Sequence, residues 1–227
     1  MRRNLILSGG IFHDFTATSA TLAERMTSLG IHSRIEDNIE AGLSSLESQP
    51  VDLLTINALR WEMQGGKYDP YRESEALALS SEGQRAIEHH LQRGGALLGL
   101  HTASICFSNW PVWGDILGGL WRWGQSWHPA PAAVEASPLP HPLTAGLPSF
   151  TVTDELYTDL EVANTADILL MGSSPAVDKP QPIMWCHRWH NGRIVYDALG
   201  HASEALEEPS HWQVLERSIN WAMGRDH

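Results

Sequence analysis

Four side chains in this sequence are of types that move protons or bind metals, and they fall where a fold can bring them together: His101, His128, Glu155 and His201. His101 closes the run Gly94-Gly95-Ala96-Leu97-Leu98-Gly99-Leu100-His101-Thr102-Ala103-Ser104, an apolar stretch that ends on a polar side chain among small residues. A buried strand running into a tight turn and a helix start has this pattern, and in α/β enzymes such a turn lifts one side chain above the sheet edge. The usual occupant is a Ser or Cys nucleophile, and here it is an imidazole. His201 follows the run Arg193 to Leu199 across Gly200, His128 lies between Trp127 and Pro129, and Glu155 sits in Thr153-Asp154-Glu155-Leu156-Tyr157. Neutral imidazole and carboxylate are good ligands for zinc and similar divalent ions. Equally, a carboxylate beside an imidazole raises its basicity and lets the pair shuttle a proton near neutral pH. With no HExxH motif in the chain, spacing leaves both chemistries open.

These residues need a scaffold, and the hydrophobic pattern predicts one. Leu5 to Ser8, Ile31 to Ile35, Val51 to Ile56 and Ala96 to Leu100 read as short strands buried on both faces. Helical spacing over Thr18 to Leu29 and Ser81 to Gln92 alternates with them, which implies a doubly wound, mainly parallel sheet. Ligands of open α/β sheets bind beyond the carboxyl ends of the strands. His13 and Asp14 follow the first strand there, and Asn57 and Trp61 follow the third. His13, Asn57, Trp61, Trp127 and Tyr157 are therefore the expected substrate-contacting residues. Residues 109–150, rich in Trp, Gly and Pro, read as an excursion of short strands packed over the sheet. Pro182 to His187 and Arg193 to Leu199 flank Trp189-His190-Asn191-Gly192, a hairpin turn whose Asn-Gly suits positive φ, and a helix over Ser210 to Met223 closes the chain.

Composition narrows the function. The formal net charge is −12 with no Lys/Arg cluster, so neither nucleic acid nor an anionic membrane is an expected partner. No stretch approaches the length of a membrane span and the first residues read as a strand, so a cytoplasmic protein is expected. The 227 residues suit a single domain over residues 1–227. Cys106 and Cys186 lack disulfide or zinc spacing and read as small buried hydrophobes. No GxGxxG or GxxxxGK[ST] is present, and His89-His90 read as a solvated helix face. Ten tryptophans, five of them between Trp110 and Trp127, are core filling or flat walls for a ligand such as a sugar, and exposed ones leave a homodimer open.

The order of these motifs resembles one family. Gly99-Leu100-His101-Thr102-Ala103, Trp110, Gly118-Gly119, His128, His141-Pro142 through Gly146-Leu147-Pro148, Asp154-Glu155-Leu156-Tyr157, and Gly192-Arg193-Ile194-Val195-Tyr196 through Leu199-Gly200-His201 come as they do in ThuA-like proteins. The match runs from about Gly94 to Met223, with His13-Asp14 fitting upstream. The resemblance implies a flavodoxin-like fold related to class I glutamine amidotransferases, and a role in catabolism of trehalose or a related disaccharide or keto-sugar. It also implies that His101 stands where those enzymes carry their nucleophilic Cys, with His201 near the triad His and Glu204 three residues beyond. An imidazole is a poor substitute for a thiolate in acyl transfer, and Cys106 lies a helical turn past the elbow, so glutaminase activity is not expected. Three readings remain: a sugar-modifying enzyme (lyase, isomerase or hydrolase) using acid/base groups, a divalent-metal-dependent hydrolase or isomerase with His101, His128, Glu155 and His201 as ligands, and a non-catalytic small-molecule binding protein.

Overall fold

The computed structural model describes residues 2–224. Its centre is a nine-stranded mixed sheet. The strands are β1 (Arg2–Gly9), β2 (Ile31–Glu36), β3 (Leu53–Ala58), β4 (Ala96–Leu100), β6 (Ala132–Pro138), β7 (Phe150–Asp154), β9 (Asp167–Ser173), β10 (Gln181–Trp189) and β11 (Gly192–Asp197), while β5 (Gly119–Leu120) and β8 (Glu161–Val162) pair separately. The order is β2-β1-β3-β4-β11-β10-β9-β6-β7. Neighbours from β2 through β11 run parallel, and every pair from β11 to β7 is antiparallel. Every residue of β3 and β4 is buried, as expected for parallel strands covered on both faces.

The described residues form seven helices, α1 (Phe15–Ser28), α2 (Ile39–Ser45), α3 (Asp69–Glu75), α4 (Ser81–Gln92), α5 (Val112–Leu117), α6 (Ser203–Glu207) and α7 (Pro209–Ala222), and all but α3, which buries no residue, pack against the strands. Their starts are written in the sequence. Asp14, Asn38 and Ser80 accept hydrogen bonds from the backbone N–H groups of Ala17, Asn38's partner Ala41, and Gly83, which satisfies donors that a helix leaves unpaired. Among the described residues no helix is long and apolar enough to cross a membrane.

Three expectations are corrected. Residues 109–150 are not an excursion over the sheet, because β6 lies inside the nine-stranded sheet between β9 and β7. Its burial alternates with solvent exposure in an antiparallel setting, so it lacks the continuous apolar run that marks the parallel strands. In the β10–β11 hairpin, Trp189 pairs with Gly192, so His190 and Asn191 form the turn and the positive φ (51°) falls on His190. Gly192 serves a close approach instead, since a Cβ there would lie 2.8 Å from a Leu91 methyl. His90 is buried rather than solvated, 2.8 Å from the Ala96 carbonyl oxygen, and burial lowers its pKa to about 4.

Gly99, two residues before His101, shows how tightly the strand end is packed. A Cβ there would meet a Leu117 methyl at 2.6 Å and the Ala103 Cβ at 3.2 Å. Gly99→Val is expected to cost about 1–3 kcal/mol through overpacking, read as an earlier midpoint in urea denaturation.

Candidate active site

His101 opens a single 3-10 turn, His101–Ser104, directly after β4. Its backbone is left-handed, φ 46°, a conformation that costs a non-glycine residue about 1–3 kcal/mol. The neighbourhood over-determines it. The Tyr196 hydroxyl donates to the His101 carbonyl oxygen at 2.7 Å, the Thr102 hydroxyl to the Ala58 carbonyl oxygen at 2.6 Å, and the Trp113 indole N–H to the Ala103 carbonyl oxygen at 2.9 Å. The His101 ring is thereby held at the carboxyl end of the sheet, with Nδ1 2.6 Å from the Ala198 carbonyl oxygen. A carbonyl only accepts, so Nδ1 carries hydrogen and Nε2 faces inward.

Other strand ends deliver their side chains to the same point. After β1, the turn through Gly9 and Gly10 carries the chain back toward α1, and Gly10 (φ 135°) leaves no room for a side chain because a Cβ would lie 2.6 Å from the Leu59 carbonyl oxygen. This turn sets His13 with Nε2 3.1 Å from His101 Nε2. Glu155 follows β7, and its Oε2 lies 3.4 Å from His101 Nε2, 3.6 Å from His13 Nε2 and 3.5 Å from His201 Nδ1. Glu155 Oε2 and His201 Nδ1 are buried atoms without a hydrogen bond. Burial works against the Glu155 charge, but the imidazoles of His101 and His13 hold its carboxyl well below the usual carboxylate range. Burial also opposes charge on His101, yet Glu155 and Asp154 raise its pKa. At His201 burial lowers the pKa, and the neighbouring His101 and His13 act in the same direction.

Of the residues singled out from sequence, His101, Glu155 and His201 therefore meet, and His13 joins them where a substrate contact was expected. His128 stands at the rim. Its Nδ1 is 3.5 Å from Glu155 Oε1 but 3.0 Å from the Pro129 carbonyl oxygen, and the side chain is 37% exposed. Tyr157 lines the floor, with its hydroxyl 3.3 Å from His101 Nε2, and burial keeps the phenol protonated by raising its pKa well above the usual value. Asn57 is a correction, because its amide donates to the hydroxyls of Thr18 and Ser19 at 2.9 and 2.8 Å inside the β3–α1 packing. Its polar atoms hold that packing together. Trp61 is buried against Tyr68 and stacked on Trp123, whereas Trp127 is exposed and its backbone pairs with Thr158. Sequence reasoning offered Trp121 only as one of the clustered tryptophans; its ring packs on Tyr157, His128 and Trp123, and its buried indole N–H has no acceptor among the described residues. One tryptophan among five in a short segment offers no signal that would single it out.

The family model described as ThuA, trehalose utilisation, matches residues 18–222. The chain belongs to the ThuA family. Solved structures of two ThuA-like proteins share the fold. One, from Parabacteroides merdae, superposes with a TM-score of 0.72 at 19% identity over 98% of this chain and 90% of its own. The other, from Bacteroides uniformis, gives 0.66 at 20% identity over 99% and 92%. A cytoplasmic protein from Salmonella typhimurium gives 0.60 at 11% identity over 98% and 99%. A comparison with curated proteins finds no match.

In this ThuA-family chain two buried carboxylates hold the frame of the site. Asp154 accepts from the backbone N–H groups of Glu155 at 2.8 Å, Gly200 at 2.8 Å and His201 at 3.3 Å. Asp197, at the end of β11, accepts from the Leu199 N–H at 3.0 Å and faces His211 of α7, whose Nε2 is 2.7 Å from Asp197 Oδ2. His211 Nδ1 is 2.6 Å from the Ala205 carbonyl oxygen on α6, and its ring stacks on Phe150 of β7. Both partners are acceptors, so both nitrogens donate and the ring is a cation. Burial opposes that charge, but the Asp197 carboxylate, helped by its hydrogen bond, the Ala205 carbonyl and Asp154, raises the pKa from 6.5 to about 9.

A raised folded-state pKa means that the stabilisation is fully present below pH 6.5 and is lost as the pH rises through about 9. Removing one partner of a buried pair costs on the order of 3 kcal/mol. His211→Gln is expected to lower the urea midpoint clearly at about pH 6, with the gap to wild type narrowing as the pH rises from 6.5 to about 9 and levelling off beyond that. A gap independent of pH would show that His211 is neutral in the fold.

Proposed function

We propose that this ThuA-family protein is a sugar-modifying enzyme of disaccharide or keto-sugar catabolism, working at the centre formed by Glu155, His101, His13 and His201 with His128 at its rim. Family membership supports a role related to trehalose utilisation in general, and the Glu155 arrangement carries the rest. One carboxylate oxygen lies within 3.6 Å of three imidazole nitrogens, which is far more convergence of proton-transfer groups than stability requires. Tyr157, Trp121 and Trp123 supply rings beside it, and the unpaired Trp121 indole N–H is a donor suited to a sugar hydroxyl. A Salmonella relative described as cytoplasmic is consistent with action in the cytoplasm.

The scaffold we take to be flavodoxin-like and related to the class I glutamine amidotransferases. The parallel order β2-β1-β3-β4-β11 supports this. Amidotransferase chemistry is outside the proposal. The elbow bears an imidazole, and the Cys106 thiol donates to the Ala58 carbonyl oxygen while burial raises its pKa to about 12, so no thiolate is available for attack.

The test is turnover of trehalose and of a keto derivative of it by purified protein, followed by chromatography of the products. Glu155→Ala and His101→Ala are each expected to lower kcat by at least about 100-fold with the circular dichroism spectrum unchanged. Turnover unaffected by both substitutions would remove the site from the reaction. Tight binding of the sugars with no turnover would make this a binding protein.

A further inference from the structure

We infer that His13 Nε2, His101 Nε2, His201 Nδ1 and a carboxylate oxygen of Glu155 are the ligands of a single divalent transition-metal ion. The inference rests on the enzyme reading above for its purpose, but its evidence is separate. It begins with where the hydrogens must be. His101 Nδ1 is 2.6 Å from the Ala198 carbonyl oxygen and His13 Nδ1 is 3.3 Å from the Ile11 carbonyl oxygen. Carbonyls only accept, so each Nδ1 donates, and in the neutral rings each Nε2 is a lone pair. Those two lone pairs face each other at 3.1 Å, an arrangement that a cation between them relieves. One proton could bridge the two rings, but it would leave Glu155 Oε2 and His201 Nδ1, both buried, without a partner. A single metal ion satisfies all four atoms at once.

The distances agree. Ligand atoms held about 2.0–2.1 Å from a tetrahedral ion stand about 3.3–3.4 Å apart, and cis ligands of an octahedral one about 3.0 Å. The separations here are 3.1, 3.4, 3.5 and 3.6 Å, and the four ligand atoms lie within 4.8 Å of one another. Backbone carbonyls on the far nitrogens of His13 and His101 are the outer support that ligating histidines usually have. Asp154 orients both Glu155 and His201 through their backbone N–H groups. Three imidazoles and one carboxylate suit zinc, iron, manganese, cobalt or nickel better than magnesium or calcium. His128 is outside the set because the four atoms that lie within 4.8 Å of one another come from His13, His101, Glu155 and His201 while its side chain stands at the exposed rim, so it is left to act on whatever binds the ion. Paired oxygens, such as a carbonyl and its neighbouring hydroxyl in a keto-sugar, are the ligand class such a centre would take.

A second group, His141, Asp167 and Cys186, also lies within 4.8 Å. There His141 Nδ1 already accepts the Leu143 N–H at 3.2 Å and Asp167 is exposed, so its atoms are neither unpartnered nor enclosed as those of the first group are. That group serves as the control.

Full-length protein stripped with a chelator would be titrated calorimetrically with Zn²⁺ and Mn²⁺, and with Co²⁺ while its visible absorption is recorded. One ion per chain is expected. His201→Ala and Glu155→Gln should each weaken binding by at least about 100-fold, and Cys186→Ser should change nothing. Folded wild-type protein that takes up none of the three ions would overturn the inference. So would binding that survives both ligand substitutions, or an intense thiolate-to-cobalt band, which would place the ion at Cys186. Turnover that persists in excess chelator would end the metal assignment and leave the enzyme reading standing. Stoichiometric metal without turnover of any carbohydrate would do the reverse.

Discussion

The Asp154 carboxylate is the joint on which the site depends. It ends β7, the last strand of the antiparallel half, and accepts hydrogen bonds from Gly200 and His201 beyond β11, the last strand of the parallel half. Three strands separate β7 from β11 within the sheet, so this contact joins two strand ends that no ladder pairing brings together. Asp154 is fully buried, and burial raises its pKa. The backbone N–H groups it accepts offset that cost by giving its oxygens partners, and the same bonds align Glu155 with His201. A charge taken out of water is here used as a fastener between two halves of a sheet.

The second fastener is the His211–Asp197 pair, and it acts on the opposite side of the same loop. Asp197 accepts from the Leu199 N–H, which fixes the path of Asp197-Ala198-Leu199 and so the direction of the Ala198 carbonyl. That carbonyl receives the His101 Nδ1–H. A cation on α7 thus sets the tautomer of a ring just beyond β4 through three hydrogen bonds and one short stretch of backbone. Buried ion pairs are weak evidence for stability, and specificity of local geometry is their better-attested use. This chain fits that description.

How much of this was legible depended on whether the signal was local. α4 and β4 have the bounds the sequence predicts, Ser81–Gln92 and Ala96–Leu100, because their start, stop and apolar run all lie within a few residues. His101 and His201 were legible as strand-end residues for the same reason. β6 was not, since its apolar residues alternate with exposed ones and leave no continuous apolar run to mark it. Asn57 shows the limit of reasoning from strand ends. Its position beyond β3 is the right one for a ligand contact, but Thr18 and Ser19 on α1 claim its amide, and only the packing of α1 reveals that. The difference between His13 and His128 had the same character, because only the packing shows that His13 is buried beside His101 while His128 stands at the exposed rim.

The elbow holds its side chain by backbone geometry. A left-handed residue at a strand end projects one side chain into the crevice with its backbone locked, and that rigidity suits a nucleophile that must meet a carbonyl carbon at a set angle. It suits a ligating imidazole equally well, since an ion tolerates little drift in its donors. A thiol at this position would end close to the backbone, whereas a ring reaches farther and brings Nε2 to 3.1 Å from His13, a residue held by a different strand end. The backbone conformation of His101, held by Tyr196 and Thr102, converts the stiffness of the sheet into the fixed spacing of nitrogen atoms that the centre needs.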